Sequence, residues 1–329
     1  MEKRVIKIDF VDFWGDFEKT NNYFWNLLSP HYELVLSRDP DFLFYSAYGR
    51  EFTQYDCYRV FYSGENVRPD FRECDFAFSF DYLETRRNYR LPLYALYKDN
   101  EILTHKTIDP DELLREKTKF CNFVVSNARG RERNEFFSKL SRYKRIDSAG
   151  RFMNNLGRSI GPKSSDKWEF LRPYKFTIAF ENSSYPGYTT EKIFEPMLMN
   201  SLPIYWGNPL VHRDFNSRSF LNYYDFENVD ALIERVIAID KSDELYLRYM
   251  AEPWFAGGVL NQFVNPVNVL HQFEYIFSHF GRGVPVARTA KRFYSRAKGA
   301  KLWSREQVQV APHRFRKLIT GQIRPKFLR

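Results

Sequence analysis

The segment that most restricts how this chain can fold runs from Tyr174 to Trp206. Tyr174-Lys175-Phe176-Thr177-Ile178-Ala179-Phe180 is a β-rich run that ends in polar Glu181-Asn182. A loop with Pro186-Gly187 follows, then helical spacing over Thr190–Met199 and a second β-rich run, Leu202–Trp206. Strand, loop, helix and strand in so short a span form a βαβ unit, which requires a parallel sheet. Open sheets of that kind bind ligands beyond the carboxyl ends of their strands. A helix start adds unpaired N–H groups and a partial positive charge, a seat for a diphosphate. Lys192 lies in the first helical turn, where cations are ordinarily disfavoured, and Glu191 beside it can accept hydrogen bonds from sugar hydroxyls. An ordinary loop-to-helix entry, with Thr189 or Thr190 as N-cap and solvated charges, fits the same spacing.

The rest of the chain continues the alternation. Val5–Phe10, Glu33–Leu36, Asp41–Tyr45, Tyr58–Tyr62 and Asp75–Phe80 read as short strands. Phe17, Phe24, Trp25 and Leu28 have helical spacing, with Pro30 as a stop. Glu101–Lys119 reads as a linker with one short helix after Asp109-Pro110. Phe120–Val125 begins a second strand-first unit, with helices expected over Arg131–Tyr143, Val229–Ile239 and Pro266–Phe280. A chain of 329 residues exceeds one ordinary core. The expectation is therefore an α/β fold of two units in series facing a cleft.

The net charge of +9 is unevenly placed. Residues 281–329 hold fourteen Lys or Arg and one acidic residue, a net +13, so the first 280 carry −4. Within that tail Val286, Ala290, Phe293, Ala297 and Ala300 form a helical apolar stripe among basic residues, with Trp303 nearby. This is the pattern of a basic amphipathic helix at an anionic membrane surface. No pattern of a nucleic-acid-binding module accompanies it. The three cysteines, Cys57, Cys74 and Cys121, include no CxxC and read as buried free thiols. The N-terminus has no signal-peptide pattern and no apolar run reaches membrane-span length, so the expected location is cytoplasmic, peripheral at the inner face of the membrane.

Ile178-Ala179-Phe180-Glu181-Asn182, Tyr188-Thr189-Thr190-Glu191-Lys192-Ile193 and Pro203-Ile204-Tyr205-Trp206-Gly207 together resemble the α-1,3/1,4-fucosyltransferase family, glycosyltransferase family 10, in its bacterial form. Val60-Phe61-Tyr62-Ser63-Gly64-Glu65-Asn66, Asp75–Asp81, Arg90-Leu91-Pro92-Leu93-Tyr94, Phe123-Val124-Val125-Ser126-Asn127 and Arg151…Asn155-Leu156-Gly157 agree in order and distance. The resemblance covers about residues 5–230 and is densest over 174–208. It implies a GT-B-like fold: a Rossmann-like acceptor-side domain at 1–118, a Rossmann-like donor domain at 119–280 whose last helix can pack back on the first, and the basic tail at 281–329.

The resemblance also implies GDP-fucose as donor, an oligosaccharide acceptor and inverting chemistry, without nucleic acid and with no required cofactor, a divalent ion acting at most as a stimulant. It maps donor contacts onto Arg151, Asn182, Tyr188, Glu191 and Lys192, and the general base onto Glu65 in the Gly-Glu-Asn element. Arg151 and Lys192 would then neutralise the departing diphosphate. A single base suffices for direct displacement, consistent with the lack of a Ser–His or Cys–His pattern. Asp39-Pro40-Asp41 and Asp109-Pro110-Asp111 look like metal-binding Asp-x-Asp strings, but the Pro in each is explained by a turn or a first helical position. Two other readings share these residues: transfer of another GDP-sugar or to another linkage, and a non-catalytic glycan-binding protein docked on a membrane.

Overall fold

A computed structural model describes residues 2–158, 160–161 and 163–288. The tail reading at 281–329 therefore lies, from residue 289 onward, outside the described residues. Six strands make the first sheet: β1 (Val5–Val11), β2 (Glu33–Leu36), β3 (Phe42–Tyr45), β4 (Tyr58–Tyr62), β5 (Phe76–Ser79) and β6 (Asn88–Arg90). Their spatial order is β2-β1-β3-β4-β5-β6, parallel throughout. The second sheet holds β7 (Lys119–Phe123), β8 (Ile146–Ser148), β9 (Tyr174–Phe180), β10 (Leu202–Trp206) and β11 (Leu221–Asn222) in the order β11-β10-β9-β7-β8, again parallel. Each sheet reverses its strand order once, between β1 and β3 and between β7 and β9. Those are the crevices where sheets of this type bind ligands. The two parallel, Rossmann-like halves agree with the expected α/β architecture.

Eight α-helices accompany the sheets among the described residues: α1 (Tyr23–Leu28), α2 (Pro110–Glu116), α3 (Arg131–Leu140), α4 (Ser164–Leu171), α5 (Glu191–Leu198), α6 (Val229–Asp240), α7 (Asp243–Ala251) and α8 (Pro266–Ser278). Local chemistry sets several ends. Asp109 caps α2 with Pro110 at its first position, so one of the two Asp-x-Asp strings has a structural occupation. In the other, the Asp41 carboxylate accepts from the Lys7 N–H at 3.3 Å. Phe17 is not in a helix: Asn22 caps α1, which begins only at Tyr23, and Phe17 stacks on Phe13 at 4.1 Å. The helical spacing there comes from aromatic packing in a loop. All three cysteines are buried and free.

The last helix, α8, lies against the first sheet. Phe273 contacts Phe78 at 4.6 Å, Phe44 at 5.8 Å and Phe24 at 6.0 Å, and Phe277 contacts Phe42 at 4.9 Å. Each such buried ring contributes about 1.5–3 kcal/mol. No described helix is long and apolar enough to cross a membrane.

At the amino ends of the second sheet's strands, buried Lys117 ties two helices together. Its ammonium donates to the carbonyl oxygens of Arg172 and Met199, the latter at 2.7 Å, at the C-caps of α4 and α5. Free carbonyls and partial negative charge concentrate there. Burial pulls this ammonium down to about 8, with Glu116 offsetting part of the effect. Above that pH the folded chain has lost a proton that the unfolded chain keeps, so stability rises with pH from about 8 to the ordinary lysine pKa near 10.5. Denaturant titrations of the wild type and Lys117→Met should diverge across that window in favour of the wild type; parallel curves would contradict the assignment.

Candidate functional site

The site lies where the carboxyl ends of the two sheets meet. On the second sheet, Phe180 closes β9 and the chain turns through residues 181–190 into α5. Thr190 is the N-cap of α5, as the local sequence predicted to within one residue. Glu181 is fully buried at that helix start. Its carboxylate accepts from the Thr190 N–H at 2.7 Å, from the Thr190 hydroxyl at 2.8 Å and from the Lys192 ammonium at 3.2 Å. Part of the helix-start anion seat is thus occupied by the protein's own carboxylate. Glu191 adds a second ion pair to Lys192 at 3.6 Å.

These pairs decide the protonation states. Burial works against the charge on Lys192, but Glu191 and Glu181 outweigh it and hold its pKa above the ordinary lysine value. Burial also pushes Glu191 up, but Lys192 and Lys167, with hydrogen bonds at the helix start, together more than reverse this and leave an ionised carboxylate. Burial raises Glu181, opposed by Lys192. One ammonium shared between two carboxylates is not a bare positive seat. A diphosphate here would need further cationic side chains.

Gly207 makes this packing possible. Its φ is +152°, and a Cβ built there would lie 2.4 Å from Cγ of Glu181. The Glu181 N–H meanwhile donates to the Trp206 carbonyl at 2.8 Å. The glycine after Pro203-Ile204-Tyr205-Trp206 thus leaves room for the buried carboxylate. Gly207→Ala should cost about 1–3 kcal/mol of stability from backbone strain and crowding and loosen Lys192, read as a lower thermal midpoint with weaker nucleotide binding. An unchanged midpoint would refute this role.

On the first sheet, β4 ends at Tyr62 and Ser63-Gly64-Glu65-Asn66 form the following turn. The Ser63 hydroxyl accepts from the Glu65 N–H at 3.1 Å, and the exposed Glu65 carboxylate accepts from the Tyr48 hydroxyl at 3.1 Å. Asn66 reaches across to the loop before α5 and donates to the Ser183 hydroxyl at 2.7 Å. Burial pushes the pKa of Tyr48 and of Tyr188 up most, and the negative charges of Glu65 and Glu191 both push it in the same direction. The two carboxylates therefore flank the same tyrosines from opposite halves. Tyr188 is 2% exposed, its ring edge-on to Phe80 at 5.3 Å.

Glu65, Tyr188, Glu191 and Lys192 are thus brought together. Asn182 lies at the second sheet's reversal point, where its side-chain Oδ1 accepts from Arg133 at 3.2 Å. Arg151 follows β8 at the same end of the sheet. It is exposed and makes no hydrogen bond or ion pair with the described residues, and no contact joins it to the other four. No group of three or more metal-ligating side chains occurs among the described residues.

Several residues that shape the site have no local sequence signal. Arg133, fully buried on α3, donates to the Asn127 carbonyl at 2.5 Å and to that of Arg129, shaping the turn beside Asn182. Arg90, at the end of β6, forms a buried two-point ion pair with Asp214 at 2.6 and 2.8 Å. It also donates to the carbonyls of Phe80 at 3.0 Å and Gly187 at 2.9 Å, between the rings of Tyr82 and Phe263. Asp214 accepts in turn from the Thr189 hydroxyl at 2.7 Å, and Asn208 accepts from the Gly187 N–H at 2.7 Å. Gly187, at φ +91°, approaches so closely that a Cβ would lie 2.2 Å from the Phe80 carbonyl oxygen. The loop between β9 and α5 is therefore clamped by the opposite half, and its shape depends on both.

Comparison with known proteins agrees with the two-sheet fold. Residues 8–97 match the model of the alpha-(1,3)-fucosyltransferase FucT N-terminal domain, and residues 114–255 match that of the glycosyltransferase family 10 (fucosyltransferase) C-terminal region. The alpha-(1,3)-fucosyltransferase FucT of Helicobacter pylori is 32% identical over 316 residues, 83% of this chain and 63% of that protein. The chain thus spans less than two thirds of that relative's length. A crystal structure of an alpha1,3-fucosyltransferase with GDP-fucose superposes with a TM-score of 0.70 at 29% identity, covering 84% of this chain and 91% of that one. A second alpha1,3-fucosyltransferase structure gives 0.73 at 27% identity, covering 87% and 92%. Matches to both family regions, in chain order and across both sheets, mean that this chain belongs to glycosyltransferase family 10, the fucosyltransferases.

Proposed function

We propose that this chain is an inverting α-1,3 (or 1,4) fucosyltransferase that moves L-fucose from GDP-fucose to a GlcNAc hydroxyl of a LacNAc-type oligosaccharide. Glu65 takes the proton of the acceptor hydroxyl as its oxygen attacks the anomeric carbon. The bond from that carbon to the diphosphate breaks on the opposite face, and GDP leaves with the electron pair. Lys192 and Arg151 stabilise the charge that develops on the leaving diphosphate. Arg151 supplies the cation that the Glu181–Lys192–Glu191 cluster lacks. Glu191 accepts hydrogen bonds from sugar hydroxyls, and Asn182 and Tyr188 line the donor pocket. The observation that carries this reading is that the Glu65 turn reaches the loop before the Glu191–Lys192 helix start, through Asn66 to Ser183 at 2.7 Å, with both carboxylates raising the pKa of Tyr48 and Tyr188. Purified protein incubated with GDP-fucose and N-acetyllactosamine should release GDP and yield a fucosylated product whose linkage is read by NMR. GDP release no faster than in buffer would refute the reading.

The basic segment 281–329 is the part we assign to an anionic membrane surface at the cytoplasmic face, supported by its net charge of +13 and its apolar stripe. Each basic residue near such a surface contributes about 1 kcal/mol. Binding of the intact chain to phosphatidylserine vesicles should fall with salt and vanish on deletion of 281–329; equal partitioning of both proteins would refute it.

A further inference from the structure

We propose that the cavity beside Trp14 is the acceptor subsite and that it selects an electrically neutral saccharide. This rests on the transfer reaction proposed above. The cavity is about 460 Å³ and is walled by Phe13, Trp14, Phe17, Leu93 and Tyr97, with Trp168 of α4 contributed by the other half. It opens beside the carboxyl end of β1, at the first sheet's reversal point, where such sheets hold ligands.

The backbone there is specially held. Asp12, immediately after β1, has φ +60°, and its carboxylate accepts from the N–H groups of Glu51 and Phe52, each at 2.9 Å. A non-glycine residue kept in that region is strained, and such strain persists where the surroundings over-determine it. The strained residue sets the direction of Phe13 and Trp14. Phe13 and Phe17 stack, and Trp14 stands perpendicular to both with 37% of its surface exposed. A large aromatic left accessible at the mouth of a cavity suits the C–H face of a sugar ring.

Two contacts connect the cavity to the reacting groups. Leu93 lies against Gly64, whose Cβ would meet the leucine Cδ1 at 3.0 Å, one residue before Glu65. Tyr97 packs on Phe194 of α5 at 5.1 Å, two residues beyond Lys192. A ring stacked on Trp14 is thus followed, along the cavity wall, by the carboxylate that takes the proton and the helix that holds the donor.

The rim decides the charge of the occupant. Asp16 and Glu18 line the cavity, and both are exposed. Asp16 has no partner among the described residues, and Glu18 is met only by the neutral amide of Asn21 at 3.5 Å. Two carboxylates without a counter-cation accept sugar hydroxyls readily and repel a sialyl, sulfated or uronic group.

The test uses the full chain with N-acetyllactosamine and 3′-sialyl-N-acetyllactosamine as acceptors. Trp14→Ala should raise KM for N-acetyllactosamine about tenfold or more, the equivalent of one lost stacking contact, with GDP affinity and thermal midpoint unchanged. Trp14→Phe should recover most of that loss. The Asp16→Asn/Glu18→Gln double variant should raise the kcat/KM ratio of sialylated to neutral acceptor about tenfold. An acceptor KM unmoved by Trp14→Ala, or a charge preference unmoved by the double variant, would overturn the proposal. If the wild type shows no transfer, the function proposed above fails separately. The cavity is then judged by saturation-transfer NMR with N-acetyllactosamine: a signal lost in Trp14→Ala supports it, and no signal overturns it.

Discussion

Glu65→Gln is expected to lower kcat for fucosyl transfer about 10²–10⁴-fold, the usual contribution of a positioned general base, while GDP binds as before. Glutamine keeps the size of the side chain and can still accept from the Tyr48 hydroxyl, which the native carboxylate meets at 3.1 Å. The turn around it survives too, since it rests on the Glu65 N–H bonded to Ser63 and on Asn66 bonded to Ser183 across the cleft. Only the capacity to take a proton is lost. Initial rates over a range of both substrates, with GDP titration calorimetry alongside, make the measurement. A variant that keeps full turnover would remove Glu65 from the reaction, and one that loses GDP binding as well would make it structural.

Asp214→Ala should destabilise the protein by about 3–5 kcal/mol, the typical cost of stranding a buried charge. Arg90 is 4% exposed; burial works against its charge, and Asp214 more than restores it. Removing the carboxylate leaves that guanidinium without its counter-ion between Tyr82 and Phe263, leaves the Thr189 hydroxyl without its acceptor, and leaves the Asn208 amide with only the Thr189 oxygen. The double variant Arg90→Met/Asp214→Leu should recover only part of the loss. It removes the stranded charge, but the Phe80 and Gly187 carbonyls lose their donor and the Thr189 hydroxyl, which still accepts from Asn208, loses its acceptor. Because Gly187 and Thr189 belong to the loop proposed to hold the donor, GDP affinity should fall in both variants. Urea unfolding read by tryptophan fluorescence gives the stabilities. Losses below about 1 kcal/mol, the scale of an exposed pair, would show that the pair is not buried in solution.

The strand–helix–strand unit from Tyr174 to Trp206 was legible because its strands and its helix start are set locally. β9 and β10 are β-rich runs bounded by polar residues, and Thr190 caps α5 with its own hydroxyl. The short outer strands were not legible. β6, β8 and β11 have three, three and two residues, too few to display a period. The aromatic spacing that suggested a helix from Phe17 has a different cause, since Phe17 stacks on Phe13 across a loop.

The sequence by itself determined the alternation of strand and helix, the position of the helix start at Thr190 and the family to which the ordered motifs belong. Those properties rest on neighbours along the chain, on backbone preference and on capping. The tertiary structure alone decided how charge is distributed in the site. Glu181 reads in the sequence as the polar end of a strand; folded, it is the buried carboxylate that neutralises Lys192 eleven residues on. Arg90 and Asp214 lie 124 residues apart, and nothing near either predicts that they meet. A buried charge is tolerated only when an opposite charge reaches it, and which residue does so is settled by the packing of the two sheets. The loop around Gly187 is for that reason the product of both halves of the molecule.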